Sequence, residues 1–241
     1  PNGTERIEGL NVELLERNPM GAIRVSSGPE LIEFQARFGG LERQMAAAAE
    51  GDLAIPETHQ ALFEDLAREL GLVGVGPREA MTRIRRFFSQ GFTYSLEGSR
   101  RSGARRAWTT PLEDFLRQTR RGHCEYFATA TVLMLRAAGV PARYITGYAV
   151  HEWSPWEEAF VVRRRHAHSW AAAYVDGAWM DLDTTPAIWA DSESEASPWW
   201  IDTYDLLAWL RYRFNQWRYS DSDWLDAQTL IGLALVLSAV L

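Results

Sequence analysis

The sequence contains no lysine. Its 25 basic residues are all arginine, they face 32 acidic ones, and the net charge is −7. That balance argues against nucleic acid as a partner, because binding its phosphates calls for a basic face. Cysteine is nearly absent, Cys124 being the only one. A lone cysteine cannot close an internal disulfide or build a multi-cysteine metal centre. Uncharged runs of membrane-spanning length are missing as well. Residues 231–241 are uncharged but fall short of the roughly 20 residues that a bilayer requires. There is no initiator methionine and no leader at Pro1, so the chain is expected to be a segment of a longer one. What is present is ample apolar material, 46% of the residues, and 11 tryptophans. A sizeable core follows. So many indoles suit amphipathic core edges, or a surface beside a membrane or an extended substrate.

Residues 1–54 carry no visible chemistry and are expected to be an N-terminal extension. A strand is expected at 21–25 and helical character over 31–50. Residues 56–71 repeat apolar side chains at helical spacing (Leu62, Phe63, Leu66, Leu70) and stop at glycine. Pro77 opens a second helix, with Ala80, Ile84, Phe87 and Phe88 on one face. Residues 92–96 read as a short strand, 97–106 as an arginine-rich loop and 112–119 as a short helix. The strongest helix is 124–138, with Phe127, Ala130, Thr131, Met134, Leu135 and Ala138 in register. It is closed by Gly139 and Pro141. Strands are expected at 142–150, 160–164, 167–175 and 178–183, with a tryptophan-rich loop over 151–159. Asp176-Gly177 is a two-residue hairpin signal. Residues 191–223 are expected to form a helical C-terminal extension. Residues 224–241 are expected to begin a transmembrane helix, because the terminal run has no polar face.

The chemistry gathers around Arg121-Gly122-His123-Cys124-Glu125-Tyr126-Phe127-Ala128. Cys124 falls in the first turn of the central helix, where free N–H groups and the helix dipole favour an anion and lower a thiol pKa. A packing cysteine would more naturally sit mid-helix on the Phe127/Met134 face, but position alone leaves a nucleophile and an inert buried thiol equally open. Gly122 is expected to let a substrate backbone approach. If Asp176-Gly177 is a type I′ turn, Val175 faces Ala178 and His168 faces position 185. Asp183 is then a diagonal neighbour of His168 on one face, roughly 7–8 Å away. Asp181 shares the face but lies further off, so Asp183 is the better orienter. A one-residue slip would reverse the face. Cysteine, histidine and aspartate together form the set of a thiol nucleophile, a base and an orienter. His166-x-His168 has same-face strand spacing that could join Cys124 in a metal site, but no second cysteine and no histidine-rich cluster supports one. No metal and no cofactor are expected. His166 is expected near the surface or behind the site, and His123 is expected to point away from the thiol. Sequence suggests no partner for His59 or His151.

Gly122-His123-Cys124-Glu125-Tyr126-Phe127-Ala128, the stretch from Leu135 to Arg143, and Gly147-Tyr148 together resemble the transglutaminase-like superfamily core. His168-Ser169-Trp170 is similar to its His-Ala-Trp segment, and Trp179-Met180-Asp181-Leu182-Asp183-Thr184-Thr185-Pro186 to its Trp-x-x-x-Asp-Pro-Thr segment. The resemblance spans 55–190, the expected catalytic core. It implies a papain-like α+β fold, with the cysteine helix packed on an antiparallel sheet that carries histidine and aspartate. It implies Cys124 as nucleophile, His168 as base and Asp183 as orienter. Two positions depart from the pattern. Ser169 stands for alanine, a change harmless in size, and Thr184 stands for proline, which is expected to loosen the turn.

The nearest branch in this resemblance is bacterial and membrane-anchored, with the domain outside the cytoplasm. Membrane anchorage of a longer chain and a protein or peptide substrate are the implied partners. Asp221, Asp223 and Asp226 permit that topology, whereas Arg211, Arg213 and Arg218 oppose it under the positive-inside rule. The expected chemistry is cysteine-dependent acyl transfer on carboxamides. A peptidase or amidase with the same triad, and a catalytically idle peptide-binding or assembly module, are the alternatives. The Cys124 backbone N–H is the expected oxyanion donor; Gln118 and Trp108 carry suitable groups for a second, but Gln118 reads as a solvated helix residue and Trp108 as a packing one.

Overall fold

The computed structural model describes residues 4–10, 12–17, 23–27, 32–39, 45–96, 110–154 and 158–189, together with 209–210 and 214. Packing divides the chain into two units, Pro1–Ala196 and Ser197–Leu241. In the second unit, 209–210 and 214 are helical. The rest of the helix expected there, and the apolar run 231–241, lie outside the described residues. Among the described residues no helix is long and apolar enough to cross a membrane.

The N-terminal part is strand rather than helix. β1 (Thr4–Glu8) pairs antiparallel with β4 (Gln35–Phe38), and β2 (Leu14–Arg17) with β3 (Ile23–Ser27). The helical expectation for 31–50 is therefore overturned in the described part, which holds β4 and a 3-10 turn, Glu50–Leu53. Alanine has high helix propensity, but the stretch lacks an apolar stripe to bury, and burial stabilises most protein helices.

From residue 55 the helical periods hold. α1 (Glu57–Glu69) buries Phe63, Leu66 and Ala67, and Gly71 follows it at φ 63°. α2 (Pro77–Ser89) starts on its proline and buries Ala80, Met81, Ile84 and Phe88. β5 (Thr93–Tyr94) follows. α3 (Pro111–Asp114) is capped by Thr110, whose hydroxyl oxygen accepts from the Glu113 N–H at 3.2 Å. It runs into a π-helical turn, Phe115–Thr119, which ends at Arg120 with φ 50°. β6 (Arg121–Gly122) then pairs parallel with β5. That pairing delivers the chain to the start of α4 (Cys124–Ala137). α4 buries Phe127, Ala130, Thr131, Met134 and Leu135. Phe88, Phe92, Phe115 and Phe127 form an aromatic knot beneath it, with the Phe115 and Phe127 rings 5.0 Å apart. Each fully buried ring contributes about 1.5–3 kcal/mol through burial alone.

The sheet that α4 packs on has three antiparallel strands in the order β11-β10-β7, from β7 (Ala142–Tyr148), β10 (Ala167–Val175) and β11 (Ala178–Leu182). Ala142, Ala171 and Ala173 are fully buried, and such small side chains let helix and sheet approach closely. The expected strand at 160–164 does not join this sheet. β9 (Ala159–Val161) instead pairs with β8 (Glu152–Ser154) as a separate hairpin, and a 3-10 turn at Arg164–His166 separates it from β10. Trp153 and Phe160 pack across that hairpin at 5.0 Å. A cross-strand aromatic pair of this kind stabilises a ladder that turn propensity does not signal.

Candidate active site

The Asp176-Gly177 turn places both residues at positive φ, 53° and 86°, as a type I′ turn requires. Val175 faces Ala178, and Ala171 faces Leu182. The chain leaves β11 at Asp183, and His168 Nε2–H donates to Asp183 Oδ2 at 2.7 Å. The Thr185 N–H donates to Asp183 Oδ1 at 2.9 Å, so both carboxylate oxygens are held. Asp181 is occupied elsewhere and accepts from Trp170 Nε1–H at 2.8 Å. Gly147 lies opposite His168 on β7. A Cβ at Gly147 would come within 2.9 Å of the Trp170 ring, so a side chain there would push the indole away from Asp181.

Cys124 opens α4 and is half-buried. Burial alone would raise its thiol pKa, but contacts from His123, His168 and Ser169 reverse this and bring it down to about 6. His168 Nδ1 and Ser169 Oγ are buried, and neither makes a fully formed hydrogen bond. They approach the sulfur as polar near-contacts, which still favour the thiolate. Burial lowers the pKa of His168, and the bond to Asp183 with the nearby thiol outweighs it, pushing the imidazole up to about 9. Burial would also raise Asp183, yet His168 and the Thr185 N–H hold the carboxyl below its ordinary range. Between those values the groups stand as thiolate and imidazolium.

The structure thus brings Cys124, His168 and Asp183 together. It also corrects several readings of single residues. His123 does not point away, since it contacts the thiol and packs edge-on against Tyr126. Ser169 is more than a size match for alanine, because its hydroxyl turns toward the sulfur. Thr184 does not loosen its turn. It is buried and hydrogen-bonds Thr131 on α4 at 2.7 Å. Gly122 makes room for the protein rather than a ligand, as a Cβ there would meet Tyr126 and Phe115 at 3.1–3.2 Å. His166 is buried at 3% exposure in the 3-10 turn ahead of β10. Its Nδ1 accepts from the Arg163 N–H at 3.1 Å, its Nε2 lies 3.3 Å from Glu152, and its ring packs on His151. His59 packs edge-on against Phe63. Gln118 is exposed on the π-helical turn, and Trp108 lies outside the described residues. Among the described residues no group of three or more His, Cys, Asp or Glu side chains could hold a metal ion. Sequence gave no signal for Trp189, whose indole lies face-on against His168.

A helix-start thiol facing a histidine–carboxylate pair on an antiparallel sheet, in a mixed α+β core, is the arrangement of papain-like cysteine folds. Within that class, the chain belongs to the transglutaminase-like superfamily, whose core profile matches residues 59–184. It is 31% identical over 136 residues to a protein-glutamine gamma-glutamyltransferase of Pseudomonas aeruginosa, covering 56% of this chain and 20% of that protein. It is 28% identical over 170 residues to an uncharacterized protein of Mycobacterium tuberculosis, covering 66% of this chain and 50% of that one. The chain therefore spans a fifth and a half of these two relatives. Its fold is similar to the crystal structure of the periplasmic domain of TgpA from Pseudomonas aeruginosa, with a TM-score of 0.54 at 24% identity over 71% of this chain and 59% of that one.

Proposed function

We propose that the domain transfers acyl groups from protein or peptide carboxamides through a thioester on Cys124. The observation that carries this reading is the placement of His168 between the helix-start thiol and Asp183, with the thiol pKa lowered to about 6. Membership of the transglutaminase-like superfamily and the glutamyltransferase name of the Pseudomonas relative support glutamine side chains as donors.

The Cys124 thiolate attacks the carboxamide carbonyl. The tetrahedral oxyanion is met by the Cys124 backbone N–H at the helix start. His168, charged at neutral pH, donates its proton to the leaving nitrogen, and ammonia departs as the thioester forms. An incoming amine loses a proton to His168 as it attacks the thioester, and the thiolate is released with the new amide. Asp183 holds Nε2 and stabilises the imidazolium charge throughout. Water in place of the amine gives hydrolysis with the same groups, which is the peptidase or amidase alternative.

By its resemblance to the periplasmic domain of the Pseudomonas protein, we place the domain outside the cytoplasm, on a membrane-anchored longer chain. A test is to incubate the domain with a glutamine-containing protein and a biotinylated primary amine. Wild type is expected to incorporate the amine and release ammonia. Cys124→Ala is expected to do neither while keeping its fold. Amine incorporation by Cys124→Ala would overturn the reading, and ammonia release without incorporation would establish hydrolysis instead.

A further inference from the structure

The transglutaminase-like profile ends at residue 184, yet a residue beyond it covers one whole face of the candidate base. After Asp183 the chain turns at Pro186, and the Trp189 N–H donates to the Pro186 carbonyl at 3.1 Å. The turn folds the indole back over the sheet. Trp189 lies face-on to His168, with centroids 4.2 Å apart and planes 4° from parallel. It is only 8% exposed. The other stacked neighbour, Trp170, is 6.0 Å away and tilted by 18°.

We propose that Trp189 is a positioning residue, which fixes the plane of the His168 ring between Asp183 and the Cys124 thiol. The proposal rests on the functional reading of His168 given above.

The physical case has two parts. His168 makes one formed hydrogen bond, through Nε2, while Nδ1 approaches the thiol only as a near-contact. One bond leaves the ring free to swing about the Nε2–Oδ2 direction, carrying Nδ1 off the sulfur. A flat wall at stacking distance blocks that rotation. The indole also presents its electron-rich face, which attracts an imidazolium more than a neutral imidazole. Positioning and retention of the proton are therefore linked in one side chain.

The charged and titratable groups that act on His168 are Cys124 at the head of α4 and Asp183 after β11, while His123 and, from β7, Tyr144 act on the thiol. Asp181 lies behind Trp170, and His151 meets the far side of Trp189 edge-on at 6.2 Å. Replacing the indole removes the His151 contact and leaves the partners of Cys124 and Asp183 in place.

The test compares Trp189→Leu with Trp189→Phe in the whole domain. Leucine is apolar but has no ring face, and phenylalanine keeps one. Trp189→Met replaces Trp189→Leu if the latter does not fold. Two readouts need no substrate: NMR titration of the His168 ring nitrogens, and the pH dependence of Cys124 alkylation by iodoacetamide. The His168 pKa is expected to fall by about half a unit to one unit in Trp189→Leu and to stay near wild type in Trp189→Phe. The alkylation midpoint is expected to rise in parallel. An unchanged His168 titration in Trp189→Leu would overturn the proposal. If wild type instead fails to incorporate amines while His168 still responds to Trp189, the functional reading fails and this one stands.

Discussion

Cys124 and His168 form a coupled pair, and the pair sets a pH window. The thiol is brought down to about 6 and the imidazole up to about 9. As pH falls through about 6 the thiolate gains a proton and attack stops. As pH rises through about 9 the imidazolium loses the proton that the leaving group needs. The rate of amine incorporation is therefore expected to be bell-shaped, with limbs near those values, belonging to the pair rather than to either residue. Ser169→Ala should move only the acid limb, and upward, because it removes one polar contact from the sulfur. Initial rates against pH for both proteins check this, and a shift to lower pH would show that the hydroxyl does not favour the thiolate. Asp183→Asn should lower kcat by several orders of magnitude, whereas Asp181→Asn should cost no more than about tenfold, since Asp181 meets Trp170 and not the base. Equal losses on a common substrate would contradict that division. Cys124, His168 and Asp183 were legible in sequence because one helix start and one turn type fix where they fall. His123, Ser169 and Trp189 were not. Their contacts depend on a cap rotamer, a hydroxyl direction and a turn at Pro186, none of which leaves a periodic trace.

The elements that carry the site follow from short rules. α4 reads from its apolar period and its Gly139 stop, and the β10–β11 register reads from Asp176-Gly177. The register matters most, because a slip of one residue would put Asp183 on the face away from His168. Gly177 has φ 86°, and nothing lies within 4 Å of where its Cβ would be. Gly177→Ala should therefore cost about 1 kcal/mol from backbone strain alone. Denaturant unfolding should show the loss in the midpoint, with little change in activity below the transition. A large activity loss under native conditions would mean that the turn shifts rather than strains. The misread elements lacked such rules. The alanines at 46–49 offered helix propensity without a buried face, and β8 and β9 were hidden by a tryptophan-rich stretch that reads as loop. The hairpin is tied to the segment leading into β10 through Glu152, which accepts from Arg163 at 2.7 Å and Arg165 at 3.2 Å.

At the scale of the whole molecule, the segment before α1 is locked to the sheet by one buried ion pair. Arg143 on β7 donates to both oxygens of Asp52, at 2.9 and 2.8 Å, and lies 4.1 Å above the Trp179 ring. Two further donors go to the Ala46 and Ala47 carbonyls, at 2.9 and 3.0 Å. Arginine suits this role because its planar fork satisfies several acceptors at once, and all 25 basic residues of the chain are arginine. The absence of lysine also has a chemical consequence. An enzyme that forms glutamine–lysine isopeptide bonds needs an ε-amine on the acceptor, and this domain has none to offer. Incubated alone, it should build no ε-lysine-linked multimers of itself, however long the reaction runs. It should still couple a small added amine to a glutamine-containing protein, because the donor step needs only Cys124, His168 and Asp183. Mass spectrometry of the incubated domain decides the matter. Monomer alone, beside efficient amine incorporation into the added protein, is the expected result. Covalent self-multimers lost in Cys124→Ala would show that another nucleophile, such as the N-terminal amine, reaches the thioester.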